Sequence, residues 1–290
     1  MINRKYKDTV FRMLFGSEEY KENTLALYNA MNGSHYTDPA ELEINTIQDV
    51  IYMGAKNDTS FIIGNEMNLW EHQSSFNPNM PLRGLSYFAK LYEGYVTTRE
   101  LDIYGRKPLS LPTPRFVVFY IGSDEKADVT PLRLSDLFYG TDAAVEVTAT
   151  MININYGRNE SLMKACRALE EYSVLVHEVR TQRLHGVPQD EAVKKAVDKC
   201  INAGVLREFL LKHKAEVTNM FLTEWDEEKY KEIIRRDAFE EGREEGRVEG
   251  RAEGLEEGLS EGRSKALAEV TDKLMKQFSL PREKVEELLK

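Results

Sequence analysis

No run of about 18 apolar residues occurs anywhere in the 290-residue chain, which excludes a membrane-spanning helix. Cysteine is nearly absent. Cys166 and Cys200 sit far apart in segments of helical pattern, so buried reduced thiols are expected rather than a disulfide framework. The start, Met1-Ile2-Asn3-Arg4-Lys5-Tyr6-Lys7-Asp8, is basic but has no apolar stretch behind it. No secretory signal is read there, and a cytoplasmic location is expected. Histidine is scarce, and His35, His177, His185 and His213 show no ligand spacing, so no zinc site is read. Basic excess is also lacking. A net charge of −10 runs against the basic face that most DNA binders present. Half of that charge, however, lies in residues 237–290, with 15 acidic against 10 basic side chains. The front of the chain is only mildly acidic, and a bound cation would offset neighbouring carboxylates there.

What is present suffices for a core. The chain is 41% hydrophobic and 10% aromatic, which suits one to two domains of about 100–200 residues each. Residues 6–31 read as one or two helices from Val10, Phe11, Leu14, Leu25, Leu27 and Tyr28. Leu42 to Met53 reads as a strand. Asp58 to Ile63 and Glu66 to Gln73 are two extended runs around Gly64-Asn65, a hairpin signal. Met80 to Tyr95 looks helical after the Asn77-Pro78-Asn79 breaker, and Arg115 to Gly122 reads as a buried strand. A further strand is expected at Glu146 to Ile154, and residues from Ser161 to about Arg236 turn helical.

The hairpin carries the chemistry. With Gly64-Asn65 as a two-residue turn, paired residues have numbers that sum to 129, so Asp58 would face Glu71. Their Cβ atoms would be about 4.5–5.5 Å apart on one sheet face. A three-residue loop would instead send one of them to the opposite face. Gln73 shares the face of Glu71, and Lys56 would pair with Gln73. Two carboxylates that close repel unless a proton or a cation lies between them. Hard oxygen donors with open positions suit Mg²⁺ or Mn²⁺, which bind phosphates and activate water. The same pair could also sit on a plain solvated strand face, since Glu-x-Gln is a common tripeptide.

The segment Lys56-Asn57-Asp58-Thr59-Ser60-Phe61-Ile62-Ile63-Gly64 and the run from Glu71-His72-Gln73-Ser74 to Asn77-Pro78-Asn79-Met80-Pro81-Leu82-Arg83 resemble the Rpn family of recombination-promoting nucleases and putative transposases. Asn153-Ile154-Asn155-Tyr156-Gly157, the stretch Cys166 to Tyr172 and the late glycine repeats extend that resemblance over most of the chain. The family is a branch of the PD-(D/E)XK nucleases, so the resemblance implies an α/β fold. Its restriction-endonuclease-like core is helix, three strands, helix, strand. It implies a Mg²⁺-dependent (or Mn²⁺-dependent) DNA endonuclease with Asp58 and Glu71 as catalytic metal ligands. Gln73 stands where many superfamily members have lysine; glutamine can neither act as a base nor carry positive charge, which leaves the activation of water open.

Further residues are read with alternatives. Asp8 could add a third carboxylate or face solvent. Arg83 and Tyr87, four apart, share a helix face and could meet DNA phosphate or brace the sheet. The His72 side chain alternates away from Glu71 and is expected to pack or face solvent, while its backbone carbonyl could reach a metal. The expected organisation is a nuclease-like domain at 1–157, a helical region at 158–236 and a tail at 237–290. In the tail Gly242, Gly246, Gly250, Gly254, Gly258 and Gly262 recur every four residues. Val248, Ala252, Leu255, Leu259, Ala266, Val270 and Leu274 follow a rough 3-4 spacing. That pattern fits either a homo-oligomeric helix pair or a solvated linker. The leading functional expectation is a DNA endonuclease. The rival is a catalytically silent protein of nuclease fold, acting in nucleic-acid binding or assembly.

Overall fold

Val10, Phe11, Leu14 and Phe15 are spaced to fall on one side of a helix, and α1 (Val10–Phe15) buries all four. The computed structural model describes residues 10–45, 59–184, 188–278 and positions 281, 283 and 289. After a 3-10 turn at Glu18–Tyr20, α2 (Lys21–Asn32) ends on Gly33, whose φ of 63° is the left-handed conformation that glycine tolerates best. The strands β1 (Glu43–Ile44), β2 (Thr59–Ile63) and β3 (Glu66–Gln73) precede α3 (Met80–Thr98). Then come β4 (Thr113–Tyr120), β5 (Val129–Arg133) and β6 (Thr148–Asn153). The rest is helical: α4 (Glu160–Ala165), α5 (Arg167–Leu184), α6 (Gln189–Ala203) and α7 (Arg207–Phe278), whose backbone leaves helical dihedrals at His213.

The strands form one mixed six-stranded sheet in the order β1-β2-β3-β4-β6-β5. The centre, β3-β4-β6, is parallel, and the outer pairings are antiparallel. A parallel centre buries both of its faces, which is why β4 reads as the unbroken apolar run Phe116-Val117-Val118-Phe119-Tyr120. One face packs on α3 through Met67, Leu69, Val118 and Met151 against Met80, Tyr87, Phe88 and Leu91. Gly84 permits this approach: a Cβ there would lie 2.4 Å from the Phe116 ring. The other face holds Trp70, Phe61 and Phe119 against Phe11 and Tyr172.

β5 is absent from the sequence reading. It forms an edge, mostly exposed, and contains Pro131, which cannot donate to a ladder and is tolerated at such an edge. The strand expected over Leu42 to Met53 is described only at Glu43–Ile44; its remainder lies outside the described residues.

The chain divides into two compact units, Met1–Thr223 and Glu224–Lys290. The second is helical as far as Phe278, so the glycine repeat is helix. A four-residue step overshoots a helical turn by about 40°, so the six glycines wind around that helix rather than forming a straight stripe. Leu259, Leu267 and Val270 are exposed on it. Both cysteines are free and buried. No helix among the described residues is long and apolar enough to cross a membrane.

Candidate functional site

The β2–β3 hairpin positions the site. Gly64 takes φ 54° in a two-residue turn, and the register runs Ile63↔Glu66, Ile62↔Met67, Phe61↔Asn68, Ser60↔Leu69, Thr59↔Trp70. Every pair sums to 129, as the two-residue turn requires. Asp58 and Lys56, like Asp8, lie outside the described residues. Strand alternation then puts Met67, Leu69, Glu71 and Gln73 on the α3 face and Trp70 and His72 on the other.

Glu71 is a buried carboxylate, its side chain only 3% exposed. Such a charge is costly to bury unless it is paired and hydrogen-bonded. The partner comes from the first turns of α3: Nη2 of Arg83 donates to Glu71 Oε2 at 2.9 Å and to the Tyr87 hydroxyl at 2.8 Å. Arg83 Nη1 lies 3.4 Å from Met80 Sδ, and the guanidinium stands 5.6 Å from the Tyr87 ring centre. Arg83 and Tyr87 therefore do share a face, as their spacing predicts, and they brace α3 to the sheet. The arginine side chain is still 42% exposed, so one end of this ion pair is buried and the other meets solvent.

Gln73 is buried at the carboxyl end of β3. Its Nε2 donates to Met80 Sδ, and its Oε1 finds no hydrogen-bond partner among the described residues. A buried amide oxygen in that condition, two residues from a carboxylate on the same face, is a hard donor suited to a water or a hard cation. The donor set of Glu71 and Gln73 thus fits Mg²⁺ or Mn²⁺ in kind. Among the described residues, no group of three His, Cys, Asp or Glu side chains converges on one point.

His72 packs rather than reacts. Its ring stacks on Phe11 at 4.8 Å, and Nε2 is hydrogen-bonded to the Tyr172 hydroxyl at 2.8 Å. Burial, with help from the positive Arg180, pushes its pKa down to about 3, so the ring is neutral and takes no part as a charged group near pH 7. The backbone is another matter. Ile121 N–H donates to the Gln73 carbonyl, so Gln73 turns its backbone oxygen toward β4. Carbonyls alternate along a strand, and the His72 oxygen therefore faces the β2 side.

The three parallel strands end together at Gln73, Tyr120 and Asn153, which pair in register. Open α/β sheets bind ligands outside the carboxyl ends of their strands, and the candidate site lies at that end. Sequence reasoning missed Arg180 there. Its guanidinium donates to Asn155 Oδ1 at 2.8 Å and to the Ile121 carbonyl, tying together the loops after β4 and β6. A signal existed: Arg180 continues the i,i+4 series of Tyr172 and Val176, an arginine on an apolar helix face. A wider groove of about 950 Å³, lined by Gly64, Asn65, Tyr95, Arg99 and Thr113, opens at the opposite end of the strands and does not include Glu71 or Gln73. Comparison with protein-family models, with curated proteins and with solved structures finds no match to this chain.

Proposed function

We propose that the chain is a metal-dependent DNA endonuclease of PD-(D/E)XK type, in which Asp58 and Glu71 hold Mg²⁺ or Mn²⁺ and Gln73 orients water or phosphate. The observation that carries this reading is the hairpin register, which sums to 129 and leaves Asp58 adjacent to Thr59, the partner of Trp70. Glu71 and Gln73 stand together on the α3 face at the carboxyl end of β3. A bound ion supplies Lewis acidity toward a phosphoryl oxygen and a water of lowered pKa. The protein's own groups do the placing. Glu71 offers a carboxylate whose position is fixed by the burial of β3. Gln73 offers its Oε1 as an acceptor that holds a water proton without removing it. Arg83, half-exposed beside the site, presents a permanent positive fork suited to a phosphate.

The test is a supercoiled-plasmid nicking assay with Mg²⁺, Mn²⁺, Ca²⁺ or EDTA. Nicking with Mg²⁺ or Mn²⁺ and none with EDTA supports the reading; cleavage that ignores EDTA overturns it. One observation favours the rival, a silent nuclease-fold protein. The charge of Glu71 is already met by Arg83, and Gln73 supplies no cation where many superfamily members have lysine. That rival expects DNA binding or assembly with no nicking under any of the four conditions.

A further inference from the structure

Arg83 stands where a cation would be needed. Glu71 is closed off from solvent, so as a carboxylate it has to be met by a neighbouring positive group. Arg83 meets it from a half-exposed position, and its aim is set by its own helix. Tyr87, one turn on, accepts from the same Nη2 that reaches Glu71, and Met80, three residues back, lies against Nη1. Met80 also receives Gln73 Nε2, so the arginine and the glutamine share one thioether, and the arginine links both to Glu71. Arginine keeps its charge at any working pH, and it therefore repels a divalent ion that shares its carboxylate. Being half-exposed, it can turn toward water with little loss, whereas Glu71 cannot. Once turned outward, its fork is placed beside the same site to bind a phosphate oxygen.

We propose that Arg83 is a positioning residue: it neutralises Glu71 while no metal is bound, and metal binding displaces its guanidinium toward the phosphate of the substrate. This rests on the nuclease reading above and adds to it a resting state in which metal and arginine compete for one carboxylate.

The experiment uses the full chain and two readouts other than cleavage. The first is arginine modification by phenylglyoxal, mapped by mass spectrometry in EDTA and in saturating Mn²⁺. Arg99, paired with Glu43 just past the end of α3, serves as the internal control. Modification of Arg83 should rise roughly threefold with Mn²⁺ while Arg99 stays constant, because an ion-paired guanidinium is released at the first site only. The second is Mn²⁺ affinity by electron paramagnetic resonance. Arg83→Gln should bind Mn²⁺ more tightly, on the order of tenfold, and Arg83→Lys, which keeps the charge, should stay near wild type. If Glu71→Gln abolishes Mn²⁺ binding but Arg83 stays equally protected with and without metal, Arg83 is a static brace. The proposal then falls and the nuclease reading stands. If neither wild type nor Arg83→Gln binds Mn²⁺, both fall together.

Discussion

The ion pair between Glu71 and Arg83 is lopsided in burial, and that makes its two halves unequal under mutation. Glu71 is 3% exposed and Arg83 42%. Replacing Arg83 with methionine, which is close in volume, leaves a carboxylate with no solvent and one less counter-charge. Breaking a fully buried pair in this way costs about 3–5 kcal/mol. The half-exposed arginine lowers that, and a loss of about 2–3 kcal/mol is expected for Arg83→Met. Glu71→Gln is different. The amide keeps the shape and can still accept from Nη2, while the arginine reaches water, so the loss should be about 1 kcal/mol. The double variant should be more stable than Arg83→Met alone, because no charge is left stranded. Urea unfolding in EDTA, followed by the fluorescence of the fully buried Trp70 in a Trp225→Phe background, reads all three. Equal losses for the two single variants, or a larger loss for Glu71→Gln, would mean that the buried carboxylate does not depend on Arg83 for its charge balance.

Three other outcomes follow from the same geometry. His72 has a folded pKa of about 3, below the ordinary histidine value of about 6.5. Its contribution to stability is therefore complete above pH 6.5 and is lost as pH falls toward 3, by about 2–3 kcal/mol at pH 4.5. Unfolding free energies of His72→Phe, measured from pH 7 to 4.5, should fall less steeply than those of wild type. Gly84→Ala would normally favour a helix, yet the added Cβ meets the Phe116 ring, so a net loss of about 1–3 kcal/mol is expected in thermal unfolding. Deletion of residues 237–290 should leave the thermal midpoint of the first unit nearly unchanged and reduce the mass of the assembly in light scattering, since Leu259, Leu267 and Val270 are exposed within one copy. An unchanged mass, after correction for chain length, would leave the tail without an assembly role.

The hairpin was legible because its determinants are local. Gly64-Asn65 specifies the turn, the turn specifies the register, and the register decides which side chains face each other. The buried strand β4 was legible from its apolar run, and α3 from the breaker before Met80. β5 was not, because an exposed five-residue edge with a central proline carries neither alternation nor an apolar run. The neutral, packed state of His72 follows in part from alternation, but its depressed pKa needs Phe11, Tyr172 and Arg180, which are far away in the chain. The bond from Arg83 to Glu71 was likewise out of reach. Spacing told that Arg83 and Tyr87 share a face, whereas the partner of that face depends on how α3 lies on β3. The tail could be read as helix or as linker, since glycine propensity opposes what the charge pairs support; the structure makes it helical.

Asp58 and Glu71 are proposed to hold a metal ion for DNA cleavage. Mg²⁺-dependent nicking of supercoiled plasmid by wild type, Glu71→Gln, Asp58→Ala and Gln73→Ala, each first checked for wild-type circular dichroism, tests it most directly. Wild type should nick, the two carboxylate variants should not, and Gln73→Ala should retain part of the activity because it removes an orienting group rather than a ligand. Full nicking by a well-folded Asp58→Ala or Glu71→Gln protein would rule out a metal site on these two carboxylates.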